Sequence, residues 1–169
     1  KNTEAKIQNS TLDNLNNVSV AANKDASKLT EDIVSVGVGG VVVNGATGAY
    51  TFSGAMATDI IENEVSAIVD NSTIVASGDL DAFANNSFRN INTAGALGFS
   101  TASTGVGIGI GAIVCVINST VTAAIQNNSS VKANSVDVNA KNNEDLYFLA
   151  ANMGVQTGSG IPVSVNGIV

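Results

Sequence analysis

The chain has 169 residues, with 14 Asp or Glu against 7 Lys or Arg, one Cys, one Pro, no His and no Trp. A net charge of −7 excludes binding to a phosphate backbone, which needs clustered Lys and Arg. A single thiol excludes a disulfide framework.

Strand signals dominate in chain order. Alternating apolar positions occur at Val18-Ser19-Val20, Val34-Ser35-Val36-Gly37-Val38, Leu80-Asp81-Ala82, Val106-Gly107-Ile108-Gly109-Ile110, Val136-Asp137-Val138 and Val163-Ser164-Val165. Period two sends Val, Ile and Leu to one face, expected to be the inner one, and Ser, Asp, Asn and Gly to the other. Asn, Asp, Ser or Gly separates each run from the next. The 22 Asn suit tight turns, because Asn tolerates left-handed backbone angles and bonds back to the main chain. Residues 24–33 carry most of the local charge and are expected to form an insertion or irregular coil. No charged residue lies between Asn90 and Val131, but the apolar run Gly105 to Ile117 is interrupted by four glycines. It falls short of the ~20 residues of a spanning helix, so it reads as strand, and no stable membrane span is expected.

The chain also repeats itself. Ser72-Thr73-Ile74-Val75-Ala76 and Leu80-Asp81-Ala82-Phe83-Ala84 recur as Ser129-Ser130-Val131-Lys132-Ala133 and Val136-Asp137-Val138-Asn139-Ala140. An upstream copy is Asn9-Ser10-Thr11-Leu12 with Val18-Ser19-Val20-Ala21-Ala22-Asn23. A fixed period marks a stacked unit, and stacked proteins serve mostly as scaffolds or binding surfaces. Residues 1–169 are therefore expected to be one all-β segment, a parallel β-helix or β-solenoid. Each repeat of 56–62 residues divides into about three coils of ~19 residues. Apolar chain ends without a polar closing unit lead us to expect a piece of a longer array.

Val121-Thr122-Ala123-Ala124-Ile125, followed by Asn127 to Ala133 and Val136 to Ala140, resembles the repeats of very large bacterial exoproteins. These are the filamentous-haemagglutinin-like adhesins and the fusobacterial leukotoxins and haemagglutinins; Val65 to Ala84 is the matching run here. The resemblance implies a right-handed parallel β-helix, secretion through an outer-membrane transporter or autotransporter barrel, and adhesion or host-cell damage. It carries over no binding residue.

The candidate sites are few. A strand with Val106, Ile108 and Ile110 inward would leave Gly105, Gly107, Gly109 and Gly111 as a flat, bare-backbone interaction patch, unless a neighbour such as the loop Ala46 to Ser53 covers it. Cys115 lacks any histidine base and reads as a small core residue. The acid pairs Glu31-Asp32, Glu62 with Glu64, Asp79 with Asp81, and Glu144-Asp145 suit a solvated strand face. They are also the minimum for glycoside hydrolysis, and Asp79, Asp81 and Asp137 offer oxygens to calcium. Asn-x-Ser/Thr triplets at Asn9, Asn17, Asn71, Asn85, Asn118, Asn127 and Asn128 read as turns rather than glycan acceptors. The expectation is a structural or adhesive rod segment at the bacterial surface or secreted, not an enzyme and without a cofactor or metal. It would contact a host-cell glycan or protein receptor and an outer-membrane transporter, and no nucleic acid. The alternatives are a carbohydrate-active β-helix enzyme or a pore-forming, cytotoxic segment.

Overall fold

The computed structural model describes residues 1–23, 31–44, 48–101 and 104–169. The strands are β1 (Asn2–Gln8), β2 (Thr11–Leu15), β3 (Val18–Ala22), β4 (Glu31–Val43), β5 (Ala49–Asp70), β6 (Thr73–Ala76), β7 (Asp79–Ser100), β8 (Gly105–Gln126), β9 (Ser130–Lys132), β10 (Ser135–Gln156) and β11 (Ile161–Ile168). No helix occurs among the described residues. Three sheets form: β1-β5-β8-β11, β10-β7-β3 with β4 also paired to β7, and β2-β6-β9. The all-β, parallel character expected from the repeat is present.

Register decides how the repeat is used. Thr3 pairs with Val65 and Val18 with Leu80, both 62 residues apart, in parallel ladders. Thr73 pairs with Ser130, 57 residues away, and Val106 with Ile161. Partners are thus one whole repeat apart. Coils of ~19 residues would place partners about a third of a repeat apart, a spacing these ladders do not show. Of the expected insertion at 24–33, residues 24–30 lie outside the described residues, and 31–33 begin β4.

The chain divides into two compact units. Unit 1 comprises residues 1–32, 61–89 and 118–145. Its core is aliphatic: Val18, Val20, Ala22, Val65, Ala67, Val69, Ile74, Leu80, Ala82 and Ala84 are buried together. Here the alternation behaves as expected, with apolar side chains inside. Leu80 is fully buried, whereas Val136, its counterpart one repeat later, is 47% exposed. The cause is that among the described residues β10 pairs on one side only, with β7.

The corners of unit 1 are polar ladders. Asn9, Asn71 and Asn127 all take left-handed angles, with φ of 50°, 45° and 51°, as expected of Asn in tight turns. The Asn71 side-chain amide donates to Asn9 Oδ1 at 2.8 Å. The Ser10 backbone N–H donates to Ser72 Oγ at 3.1 Å, and the Ser72 N–H to Ser129 Oγ at 3.3 Å. Each of these bonds joins one repeat to the next, so every turn is tied at its corner as well as along its strands.

Unit 2 comprises residues 33–60, 90–117 and 146–169. Its two sheets face each other closely, and most of the interior is small or polar, with Ile113 fully buried against Ala57 and Ala94 as the large exception. Thr51, Ser53, Ala57, Asn90, Asn92, Ala94 and Ala96 are buried. An added Cβ at Gly109 would lie 3.0 Å from the Ala96 carbonyl oxygen and 3.2 Å from that of Met153. At Gly39 it would collide with the Gly54 carbonyl. The expected facing is therefore reversed here: Gly107, Gly109 and Gly111 point inward, while Val34, Val36, Val38 and Ile110 are exposed.

Three substitutions test these assignments, two in unit 1 and one in unit 2. Leu80→Ala removes a fully enclosed side chain and should cost ~2–5 kcal/mol, whereas Val136→Ala should cost well under half as much. Equal shifts in urea midpoint for the two variants would contradict the assigned core. Gly39→Ala should destabilise although it adds only one methyl, because the methyl meets backbone that cannot rotate away; an unchanged melting temperature would contradict the close approach.

Candidate functional site

Among the described residues no group of three or more Cys, Asp or Glu side chains converges as a metal site would require. The polar features lie on unit 1. Parallel pairing sets equivalent outward residues of successive repeats above one another. Ser19 pairs with Asp81, and together with Asp137, Asn139 and Phe83 they line a shallow depression of about 250 Å³. Two carboxylates, a hydroxyl, an amide and one ring edge therefore share one outward stripe. A second depression, of about 360 Å³, is lined by Lys1, Asn2, Glu62, Asn63, Glu64, Asn118 and Thr120. Glu62 and Glu64 do share a face, and both are exposed. Both are open surface grooves in which carboxylates meet hydroxyls and amides. They fit a polar, hydrogen-bonding surface.

Three other acids are used within the fold. Asp79 Oδ1 accepts from Ser135 Oγ at 2.7 Å and from Asn134 Nδ2 at 3.1 Å, which ties it to the next repeat. These two bonds, Ser135 first, hold its carboxyl below the ordinary value of 3.8, against a smaller opposing effect of desolvation. The Asp79 N–H is itself held by Asn17 Oδ1 at 3.0 Å. Asp32 forms an exposed ion pair with Arg89 at 2.7 Å. Asp70, which sequence reasoning passed over, links three repeats. It is buried, and it accepts from Gln8 Nε2 at 3.0 Å and Asn127 Nδ2 at 2.6 Å, with Lys6 Nζ 3.5 Å away. It thereby joins the repeats before and after its own. The available signal was its place immediately before the Asn71-Ser72-Thr73 corner.

The expected glycine patch is covered. Gly105 is half-buried, and Gly107, Gly109 and Gly111 are buried. The cover comes mainly from the facing strands β7 and β10, and of the proposed segment Ala46 to Ser53, Thr51 contributes, with its Oγ1 3.3 Å from an added Cβ at Gly107. Ala46 and Thr47 lie outside the described residues, and Tyr50 and Phe52 are 69% and 62% exposed. Cys115 is half-buried and accepts from Asn90 Nδ2 at 3.2 Å, so its surroundings are more polar than expected. Of the Asn triplets, Asn85 is fully buried, while Asn9, Asn17, Asn71, Asn118, Asn127 and Asn128 are exposed, several of them at turns.

Sequence reasoning also missed the segregation of charge. The three segments of unit 2 contain a single Asp, Glu, Lys or Arg, which is Asp59. Asp59 is nearly buried and takes the Ser35 hydroxyl as a donor. The outward faces of unit 2 are aliphatic and aromatic. The signal was present in the charge-free stretch after Asn90, whose sequence reading asks only about membrane insertion, as a helix or as a strand.

No helix among the described residues is long and apolar enough to cross a membrane. Comparison with protein-family models, with curated protein sequences and with solved structures finds no match.

The Asp79 bonds have a pH signature. A carboxyl held below its unfolded value stabilises the fold above that value, and the contribution is lost as pH falls through the lowered folded value. Stability should therefore fall as pH drops below about 3.8, and Asp79→Asn should flatten that part of the profile. An Asp79 titration midpoint at or above 3.8, read by NMR, would contradict the bonding.

Proposed function

We propose that the chain is a structural and adhesive rod segment of a secreted or surface-displayed bacterial exoprotein. The observation that carries this reading is the repeat-spaced parallel ladder, in which each residue pairs with its counterpart one repeat away. Such a unit extends by adding copies, and its exposed stripes extend with it. The β-helix is then right-handed, the usual hand of parallel crossover connections, with one three-strand turn per repeat. The resemblance of Val65 to Ala84 and of Val121 to Ala140 to haemagglutinin-like and leukotoxin repeats supports the surface location, and with it passage through an outer-membrane transporter.

Contact with a host-cell glycan or protein would be spread along the polar stripes of unit 1 rather than concentrated in a pocket. The Ser19, Asp81, Asp137 and Asn139 stripe is the best placed, since it combines hydrogen-bonding groups with an apolar edge from Phe83. Its two carboxylates belong to consecutive turns, an arrangement that repetition produces without catalysis.

Beads coated with the chain should adhere saturably to epithelial cells, and Asp81→Asn with Asp137→Asn should reduce adhesion several-fold while leaving circular dichroism unchanged. Absence of adhesion would refute the adhesive reading. Release of reducing sugar from a polysaccharide panel, abolished in the same double variant, would replace it with the enzyme reading.

A further inference from the structure

Unit 2 has the polarity of its faces inverted. Apart from Ile113, its buried interior holds mainly Gly, Ala, Ser, Thr and Asn, while large apolar side chains stand on both outer faces. On one face Phe52, Met56, Ile60 and Ile110 are exposed, and on the other Val36, Val38, Leu97 and Met153. Water does not favour such a surface, and apolar patches of this extent mark interaction sites.

The geometry points to a second copy of this chain as the occupant: unit 2 of one molecule packs face to face on unit 2 of another. Three features on the same unit support this partner. The first is complementarity. Around Gly95 the second face sinks into an apolar depression of about 370 Å³, lined by Val38, Leu97, Ala151 and Met153. The first face presents Phe52 and Met56, 62% and 67% exposed, as projecting side chains of a size to enter it. The chain carries both knob and hole. The second is charge. With Asp59 nearly buried, the faces bring no like charges together, although each copy carries −7 in all. The third is area. Three strands ~4.8 Å apart and about ten residues long offer roughly 500 Å² per face, so two partners bury roughly 1,000 Å², the lower bound for a specific interface.

Lipid is the weaker occupant. Among the described residues β10 pairs only with β7, which leaves a row of backbone groups that water can satisfy and hydrocarbon cannot. A protein face covers the side chains and leaves that edge wet. Because knob and hole lie on opposite faces, the contact is head-to-tail and propagates. This inference goes beyond the adhesive reading and survives its failure, since it uses no residue of the unit 1 stripe.

Sedimentation of the whole chain tests it. The weight-average mass should rise above 16.9 kDa with concentration across the micromolar range. Phe52→Ser with Met56→Ser should hold the chain monomeric, and so should Leu97→Ser with Met153→Ser. Mixing these two variants should restore a dimer that grows no further, because each retains one working face. A wild-type chain that stays monomeric, variants that associate like wild type, or a mixture that stays monomeric would each overturn the inference. A monomeric chain that floats with phosphatidylcholine vesicles would assign the faces to lipid instead. If circular dichroism shows either double variant misfolded, Met56→Ser and Leu97→Ser alone replace it and are read in the same way.

Discussion

Every other feature of this protein depends on hydrogen bonding between equivalent residues of successive repeats. The partners lie a full repeat away, so no turn can form its ladder by itself. Closing each ladder spends the entropy of a long loop, and that cost is recovered only when strands, corners and core side chains engage together. The corner residues show how this is arranged. Asn9 and Asn71, and Ser10, Ser72 and Ser129, each hold the equivalent atom of the neighbouring turn. Asp70 takes bonds from both directions. Repetition turns one favourable corner into a ladder of them.

The same ladder supports two different interiors. In unit 1 three strand positions per turn enclose space wide enough for Val, Ile and Leu, and the core is a stack of aliphatic side chains. In unit 2 only two sheets meet, and their backbones approach to ordinary van der Waals distance of the small residues between them. Close approach retains dispersion contacts and buries backbone polar groups that are already paired. Beyond the site filled by Ile113, it leaves little room for large side chains, most of which stand outside. The exposed Val, Ile, Phe and Met residues of unit 2 thus follow from the tightness of its interior.

Charge follows the same division. Nearly all ionisable side chains lie in the segments of unit 1, where they cap corners, pair across turns or face solvent. Hydration of the molecule rests mainly there. Unit 2 relies on Asn, Ser and Thr inside and presents apolar faces outside, a surface suited to being covered by protein. One short repeat therefore supplies a hydrated stripe for contact with polar partners and an uncharged stripe for contact with itself.

Composition and periodicity alone determined the all-β class, the parallel stacking of repeats and the left-handed Asn corners. Each of these depends on residue type and spacing, which are local properties. Tertiary structure alone decided which residues pair across the ladders and the side on which each alternating strand was buried. Val18-Ser19-Val20 and Val106-Gly107-Ile108 read alike, yet Val18 and Val20 are buried whereas in the second run it is Gly107 that is buried. An alternating pattern states that two faces differ. Which face turns inward depends on the distance to the opposing sheet, and that distance is set by strands many residues away.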